Sequence, residues 1–383
     1  NNNTATTEIN TPPCISGSTI YADTDGDSYG DASNSIIAES CDLPFGYVLN
    51  NTDCNDADAS IHPGTEEVIN CLDDNCNGII DEGKWIQKAN FAGSARVNAA
   101  SFTIGDKAYL GTGKTSSGSY LKDLWEYDPV TNVWTQKADM GKKRYKAVGF
   151  AIGNKGYIGT GCDQDGSLIK SFGEYDVATN SWTQKADFGG SGRQNAVGFA
   201  INGKGYIGTG GNFLTQHNDF WEYDPDTNQW TQKANVGDTL REAAVGFSIG
   251  EKGYIGTGSN SNGYKNDFWE YDPTTDTWTE KSDFAGGARS SASGFSNDSK
   301  GYLGTGWDGS SLHKDYWQYD PLTDTWNQIA DFGGTARAYA TGFSVSGNGY
   351  VATGGDTSGN AYNDLWQYDP PPFVGLTVYA DAD

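Results

Sequence analysis

The chain has 383 residues, of which 50 are acidic and 25 are basic, so its formal net charge is −25. This charge disfavours nucleic acids and anionic membrane surfaces as partners, because both are bound through Lys and Arg, and it favours hard divalent cations. The 52 glycines and the aromatic content of 13% indicate a folded, turn-rich chain rather than an acidic disordered one. No apolar run is long enough to span a membrane, and no secretory leader is visible at the N-terminus.

Cysteines are concentrated in the first 76 residues, which contain five of the six. Dense cysteine in a small acidic segment is typical of a disulfide-stapled module from an oxidising compartment. A zinc or iron–sulfur site is the alternative, but no CxxC pair occurs and no histidine lies near enough to complete a tetrahedral set. We therefore expect disulfides among these residues.

Residues 19–83 are predicted to form an acidic module that binds Ca²⁺, after a linker over residues 1–18. Oxygen ligands at every second position wrap a cation of this size. The first loop offers such ligands at Asp23, Asp25, Asp27, the carbonyl of Tyr29 and Asp31. The second loop follows EF-hand-like spacing at Asp73, Asn75, Asn77, the carbonyl of Ile79 and Asp81.

Two features of this module leave questions open. Position 12 of the second loop is Lys84, so a bidentate ligand must come from elsewhere. A third candidate cluster contains Asp53, Asn55 and Asp58, with Glu66 or Glu67 as further ligands. The alternative is that all three segments are solvated acidic turns, since Asp, Asn and Gly favour turns. We expect two Ca²⁺ sites with a third as an additional candidate, and Mg²⁺ fits less well because it rarely uses all-protein cages.

The same stretch resembles the MopE-type metal-binding motif of secreted bacterial proteins, which is itself similar to thrombospondin type 3 calcium repeats. The matching segments are residues 21–27, 50–54, 62–64 and 71–76. The resemblance implies Ca²⁺ ligation and a secreted or cell-surface location. It also implies the disulfides Cys41–Cys54 and Cys71–Cys76, which leaves Cys14 and Cys162 over.

A strict repeat of 48 or 49 residues occupies the rest of the chain, and tryptophans mark it at Trp85, Trp134, Trp182, Trp230, Trp278 and Trp326. Arginines, Gly-x-Gly steps and Tyr-Asp pairs recur with the same period. Each unit contains four short runs with strand-like patterning, for example residues 147–152, 156–160, 220–224 and 230–234. Four antiparallel strands per repeat predict one blade of a β-propeller.

The glycine step, the Tyr-Asp turn and the downstream Trp resemble the kelch repeat family over roughly residues 84–372. Six arginine blocks imply six blades. The predicted fold is therefore all-β, a six-bladed kelch β-propeller after a small loop-rich module stabilised by disulfides and calcium. No outer strand follows Tyr368, so we expect the strand around Trp85 to pair with the Leu365–Asp369 strand and close the ring.

The last segment, residues 373–383, is either a linker or the start of a second calcium motif, because residues 377–383 echo residues 19–25. In the propeller, residues repeated in every blade are interpreted as scaffold, and single-blade residues are candidates for function. The candidates for ligand binding are Trp307, Phe213, His217 and His313. The loops between the second and third strands differ in every blade, and variable loops on a rigid scaffold usually carry recognition.

No catalytic set is apparent, since the three histidines are scattered and no Gly-x-Ser-x-Gly elbow occurs. We therefore expect a non-enzymatic, extracellular calcium-binding structural or interaction module. Its propeller would present variable loops to a protein or glycan as part of a bacterial surface, adhesive or fibrous protein. Two alternatives remain open: a carbohydrate-active propeller enzyme with its site in the central channel, and a self-associating filament subunit or tandem array with calcium-mediated contacts.

Overall fold

The computed structural model describes residues 15–371, apart from residues 213 and 298. The expectations for Cys14, Phe213 and residues 373–383 lie outside this part of the chain. Two compact units are present, one containing the described residues up to 83 and the other comprising Lys84–Pro370. Among the described residues, no helix has the length and apolar character needed to cross a bilayer.

The acidic module contains one small antiparallel sheet with the strand order β2-β1-β3. Its strands are β1 (Thr19–Ala22), β2 (Ser35–Ile37) and β3 (Tyr47–Val48). Ile20 of β1 is fully buried and lies opposite the exposed Ile36. Most of the module is loop, so its apolar core is small and side-chain hydrogen bonds carry much of its order.

The second unit is built from six four-stranded antiparallel sheets, which we number as blades 1 to 6. Blade 1 contains β5 (Ala100–Ile104), β6 (Lys107–Gly111), β7 (Leu124–Asp128) and β8 (Val133–Lys137). Blade 2 contains β9 (Val148–Ile152), β10 (Lys155–Gly159), β11 (Phe172–Asp176) and β12 (Ser181–Lys185). Blade 3 contains β13 (Val197–Ile201), β14 (Lys204–Gly208), β15 (Phe220–Asp224) and β16 (Gln229–Lys233).

Blade 4 contains β17 (Val245–Ile249), β18 (Lys252–Gly256), β21 (Phe268–Asp272) and β22 (Thr277–Lys281), with the hairpin β19 (Ser259–Asn260) and β20 (Gly263–Tyr264) in its loop. Blade 5 contains β23 (Ser293–Ser296), β24 (Gly301–Gly304), β25 (Tyr316–Asp320) and β26 (Thr325–Ile329). Blade 6 contains β27 (Thr341–Val345), β28 (Asn348–Ala352), β29 (Leu365–Asp369) and the N-terminal strand β4 (Lys84–Lys88).

The predicted ring closure is confirmed. Strand β4 pairs with β29 in an antiparallel register that places Trp85 opposite Tyr368. The innermost strands β5, β9, β13, β17, β23 and β27 contact one another in cyclic order, and β27 returns to β5. The unit is therefore a closed six-bladed propeller whose sixth blade combines one N-terminal and three C-terminal strands.

Neighbouring blades are joined by aromatic clusters and by a repeated hydrogen-bonded corner. In blade 3, the hydroxyl of the buried Tyr223 donates to Asn228 Oδ1 at 2.9 Å, and the same oxygen accepts the backbone N–H of Ala186 from blade 2. The indole of Trp230 donates to the carbonyl of Ala186. Asn228 has a positive φ of 55°, which Asn tolerates better than most residues. The Tyr-Asp and Trp signals of the repeat therefore mark contacts between blades.

Glycines on the innermost strands permit the close approach of adjacent blades. A Cβ on Gly149 would lie 2.5 Å from the carbonyl oxygen of Ser101, and a Cβ on Gly342 would lie 2.3 Å from that of Gly294. Both contacts are with the backbone of the neighbouring innermost strand, which cannot rotate away. The narrow channel at the centre of the ring depends on these positions.

Candidate functional site

The first acidic loop is folded tightly by bonds from its own backbone. Asp23 accepts the N–H groups of Gly26 and Ser28, and Asp27 accepts that of Tyr29 at 2.7 Å. Oxygen atoms of Asp23, Asp25 and Asp27 all lie within 4.8 Å of one another. Three carboxylates so close repel one another unless protons or a cation neutralise them.

Residues of the third candidate cluster, which is predicted as a separate site, lie against the first loop. A backbone bridge joins Asp31 to Asp53, and Asp53 supplies an oxygen within 4.8 Å of oxygens from Asp25 and Asp56. Asp56 is held in place by the backbone N–H and the hydroxyl of Thr24, at 2.7 and 2.6 Å. The structure therefore brings the first and third clusters together as one group, which we call the first carboxylate cluster: Asp23, Asp25, Asp27, Asp53 and Asp56.

Three oxygens of this cluster, the Oδ2 atoms of Asp25, Asp27 and Asp53, are buried and form no hydrogen bond within the described part of the chain. Burial raises the pKa of Asp25 and of Asp53 above the ordinary value, and the neighbouring carboxylates act in the same direction. Buried, unsatisfied carboxylate oxygens are unfavourable by themselves, and a hard divalent cation bound among them would satisfy all three.

Other ligands predicted for these loops have different roles. The carboxylate of Asp31 accepts the N–H and hydroxyl of Ser33, both at 2.7 Å, and that of Asp58 accepts the same two groups of Ser60. Their carboxylates are thus engaged in local turns. Asn55 donates its backbone N–H to Asp53 and so supports the cluster through the main chain. The ring of Tyr29, whose carbonyl was the predicted ligand, stacks on His62 with a centroid distance of 5.0 Å.

The second loop forms a similar turn around Asp73, which accepts the N–H groups of Asn77 and Gly78. The side-chain amides of Asn75 and Asn77 both donate to Glu82 Oε1, at 2.8 and 2.5 Å. Asn77 also accepts the backbone N–H of Ile79, the residue whose carbonyl is the predicted ligand. Asp73, Asn75 and Asn77 are therefore brought together as predicted, but the carboxylate that faces them is Glu82.

Two glutamates of this region take places that the sequence does not predict for them: Glu67 is predicted only as a further ligand of the third cluster, and Glu82 is not among the predicted ligands. Glu67 accepts the N–H of Asn75 at 2.8 Å, and burial together with the charge of Glu82 raises its pKa. Both side chains are buried, and Glu67 Oε2 and Glu82 Oε2 have no partner. The carboxylate of Asp81, the predicted ligand, instead accepts N–H groups of residues 70 and 71. The sequence does contain a signal for a further ligand, because loop position 12 is Lys84, which cannot supply the bidentate carboxylate expected there.

A disulfide connects the two acidic loops, and it differs from the pairs implied by the family resemblance. Cys54 is bonded to Cys76, with their Cα atoms 5.5 Å apart, and Cys71 is an exposed free thiol. Cys41 is also disulfide-bonded. The expected pairs Cys41–Cys54 and Cys71–Cys76 are therefore wrong, because the folded chain places Cys54 against the second loop, where its sulfur atom also contacts the carbonyl of Asp73. Cys162 is free and buried.

In the propeller, the repeated arginines form structural ion pairs. The guanidinium of Arg193 is fully buried and donates to both carboxylate oxygens of Asp219, at 2.6 and 2.8 Å, and the indole of Trp221 donates to the same carboxylate. Although burial raises the pKa of Asp219, these donors hold it below its ordinary value. Equivalent pairs join Arg96–Asp123, Arg241–Asp267, Arg289–Asp315 and Arg337–Asp364. These arginines are therefore engaged as scaffold.

Blade 2 departs from this pattern. Its arginine, Arg144, is equally buried but meets Ser171 where the other blades have Asp, and Gly173 where they have Trp. The guanidinium donates hydrogen bonds to the hydroxyl and carbonyl of Ser171 and to the carbonyl of Thr160. Its Nε has no hydrogen-bond partner among the described residues. Burial without a facing carboxylate lowers the pKa of Arg144 to about 10.

The variable loops all begin on one face of the propeller. Each first loop residue pairs with a residue just before the innermost strand, as Trp307 pairs with Ser290 and Cys162 with Tyr145. Trp307 is half-buried there, and His313 in the same loop lies 2.9 Å from Asp308 and 3.7 Å from Asp315. In blade 3, His217 contacts the hydroxyl of Ser191 at 3.3 Å. Both histidines therefore border a structural Arg–Asp pair, and the pKa of His217 is lowered by burial and by Arg193.

Comparison with known proteins agrees with this architecture. Residues 80–245 match the family model described as "KLHDC2/KLHL20/DRC7 Kelch-repeats domain", and residues 53–82 match one described as "Putative metal-binding motif", of MopE type. A solved structure titled "Structure of YjhT" aligns with a TM-score of 0.63 at 18% identity, covering 73% of this chain and 95% of that one. At that identity the likeness shows the fold alone. No curated protein sequence matches the chain. The chain thus contains a six-bladed propeller whose residues 80–245 match kelch repeats, and residues 53–82 match a MopE-type motif.

Proposed function

We propose that the chain is an extracellular interaction module in which Ca²⁺ rigidifies the acidic module and the propeller presents its variable loops to a protein or glycan. It would serve as part of a bacterial surface or adhesive protein. The observation that carries the calcium part is the set of five buried carboxylate oxygens without partners, on Asp25, Asp27, Asp53, Glu67 and Glu82.

Calcium suits these clusters better than other metals. Carboxylate and amide oxygens are hard ligands, and Ca²⁺ accepts six to eight of them in flexible geometry, whereas Mg²⁺ keeps several waters. The two sulfur atoms grouped with Asp53, those of Cys54 and Cys76, are not available as thiolates, because they are bonded to each other. That disulfide also supports an oxidising compartment, in keeping with the secreted bacterial proteins in which MopE-type motifs occur.

Binding rather than catalysis fits the propeller. Five of its six repeated arginines are fixed by carboxylates, so they are not free to act on a substrate. The parts that differ between blades are the loops on one face, where a partner can be recognised without a change in the scaffold.

The calcium proposal is tested by calorimetry on the whole chain, with Ca²⁺, Mg²⁺ or chelator. At a hundredfold excess of free Ca²⁺ over its Kd, each site should stabilise the module by about 2.7 kcal/mol. Asp53→Asn should weaken binding at the first carboxylate cluster by about tenfold or more, because one of its charged ligands is lost. Asp58→Asn is the matched control, since that carboxylate only caps Ser60. Unchanged melting in chelator, or equal affinities of the two variants, would refute the proposal.

A further inference from the structure

Blade 2 differs from the other blades at the two positions that neutralise the repeated arginine. The other five supply an aspartate directly before the third strand of the blade and a tryptophan two residues later, whereas blade 2 has Ser171 and Gly173 there. In each of the five, Oδ2 of the aspartate accepts hydrogen bonds from Nη2 of the arginine and from the indole. Blade 2 therefore keeps the buried cation of the repeat without the carboxylate that accompanies it elsewhere.

Neighbouring side chains do not replace the missing carboxylate. In four blades the guanidinium also lies over a phenylalanine ring, between 4.6 and 5.0 Å from its centroid, but blade 2 has Met140 at that position. A Cβ on Gly173 would lie 3.2 Å from the methyl of Met140 and 3.3 Å from the ring of Trp182. The indole N–H of Trp182 already donates to the carbonyl of Ala138. Arg144 is therefore the one repeated arginine in the described chain that meets neither a carboxylate nor an aromatic face.

Hydrogen-bond donors remain available at one edge of this guanidinium. Nε of Arg144 is buried and has no partner among the described residues. Nη2, on the same edge, donates to the hydroxyl of Ser171 at 3.0 Å. Because that hydroxyl accepts from the arginine, its own proton can donate to another group, and no described residue accepts it. In four other blades the Nε instead donates to the carbonyl two residues earlier in the chain.

The charges that adjoin Arg144 and Ser171 along the chain are positive, although the chain as a whole is acidic. Three exposed lysines lie next to these two residues in sequence, and none forms an ion pair with a described residue: Lys142, Lys143 and Lys170. Asp139, the nearest preceding acidic residue, is already paired with Lys122 at 3.5 Å. A buried guanidinium without a counter-charge is unfavourable, and a local excess of positive charge raises the concentration of small anions around it.

Access to this position selects a small ion. The side chain of Arg144 is 2% exposed, and Ser171 is half-buried. The aspartates at the equivalent position keep only 17–22% of their side chains exposed. An acidic side chain of another molecule cannot follow so narrow an opening to the guanidinium, whereas a monatomic anion can reach it and accept charge-assisted hydrogen bonds.

We propose that Arg144 and Ser171 bind a chloride ion, which takes the place that the aspartate Oδ2 occupies in the other blades. The guanidinium edge of Arg144 and the hydroxyl of Ser171 donate to the ion. The site lies within blade 2, and neither residue lines the cavity at the channel mouth. It is independent of the calcium clusters and of the variable loops as a recognition surface. Chloride completes the scaffold of the blade that lacks its carboxylate, so the stability of the propeller depends on chloride in the medium.

Urea unfolding of the whole chain in rising chloride tests this site. Sodium chloride replaces sodium sulfate at constant ionic strength, with a fixed low concentration of calcium sulfate, and comparison between variants removes the general effect of each salt on stability. For a chloride Kd of about 50 mM, the folded-to-unfolded ratio should rise about tenfold between about 5 and 500 mM chloride. Ser171→Asp should lose this rise, because its own carboxylate occupies the site. Ser171→Ala, which removes only the hydroxyl donor, should weaken chloride binding about threefold or more.

Ala178→Asp is the matched control, because it adds the same charge to the same blade at an exposed turn where blade 3 already has Asp226. Its chloride dependence should equal that of the wild type. Crystals of the wild type soaked in bromide should show an anomalous peak beside Nη2 of Arg144. The proposal is overturned if Ser171→Asp and Ser171→Ala respond to chloride as the control does, or if no bromide peak is found at this position.

Discussion

Installing the carboxylate that blade 2 lacks should stabilise the propeller. Arg144 is buried against the hydroxyl of Ser171, whereas its counterpart Arg193 meets both oxygens of Asp219. The substitution Ser171→Asp places an acidic side chain directly before β11, at the position that corresponds to Asp219 before β15. No other group has to move far, because the guanidinium already points at this residue.

The expected gain in stability is set by how much of the desolvation cost is already present in the wild-type fold. Burying an ion pair usually costs several kcal/mol per ion, but the wild-type fold has already buried Arg144 without a counter-charge. The equivalent aspartates keep about a fifth of their side chains exposed, for example 22% for Asp219, so the added desolvation is partial. Charge-assisted hydrogen bonds contribute about 1.5–3 kcal/mol, and we expect a net gain of about 1–2 kcal/mol.

Urea denaturation and calorimetry measure this gain. For a unit of this size, each kcal/mol of added stability should raise the Tm by at most about 2–4 °C. Ser171→Asn is the control, since it has nearly the same shape without the charge. A carboxyl whose pKa is lowered by folding, as for Asp219, stabilises the fold above its unfolded pKa and loses that effect as pH falls through the folded pKa. The gain should therefore be complete near neutrality, begin to decline near the unfolded pKa of about 4, and be lost once the pH is below the folded pKa. A Ser171→Asp variant no more stable than Ser171→Asn at neutral pH would refute the reasoning.

Two further predictions concern the disulfide and the channel. In the native chain, Cys71 should react with iodoacetamide, whereas the buried Cys162 should react only after unfolding. Peptide mapping should recover Cys54 linked to Cys76, and a Cys71–Cys76 peptide would contradict the structure. Gly342→Ala should destabilise the propeller by about 1–3 kcal/mol, because its Cβ would overlap a backbone carbonyl of the adjacent blade. The control Gly141→Ala has open space around it and should change the unfolding free energy by less than about 0.5 kcal/mol. Equal effects of the two substitutions would contradict the close packing of the innermost strands.

Much of the candidate metal centre was accessible from spacing alone. Asp23, Asp25 and Asp27 are near in sequence, so a turn of a few residues brings them together whatever surrounds it. Asp53 was assigned to a different cluster because its partner loop is more than twenty residues away. Glu82 was missed because the local spacing rule expects an acidic residue at position 84, and only the folded loop shows another carboxylate reaching the same place.

The repeat pattern is sufficient to predict the propeller, including its period, the number of blades and the pairing of Trp85 with the last strand. These follow from local patterning repeated six times, since each blade must bury the same aromatic side chains and the ring must leave no open edge. Contacts between segments distant in the chain became visible only in the folded structure. It joins Cys54 to Cys76 and merges two acidic clusters into one. Such contacts depend on how separate loops and blades dock, and no local periodicity encodes that geometry.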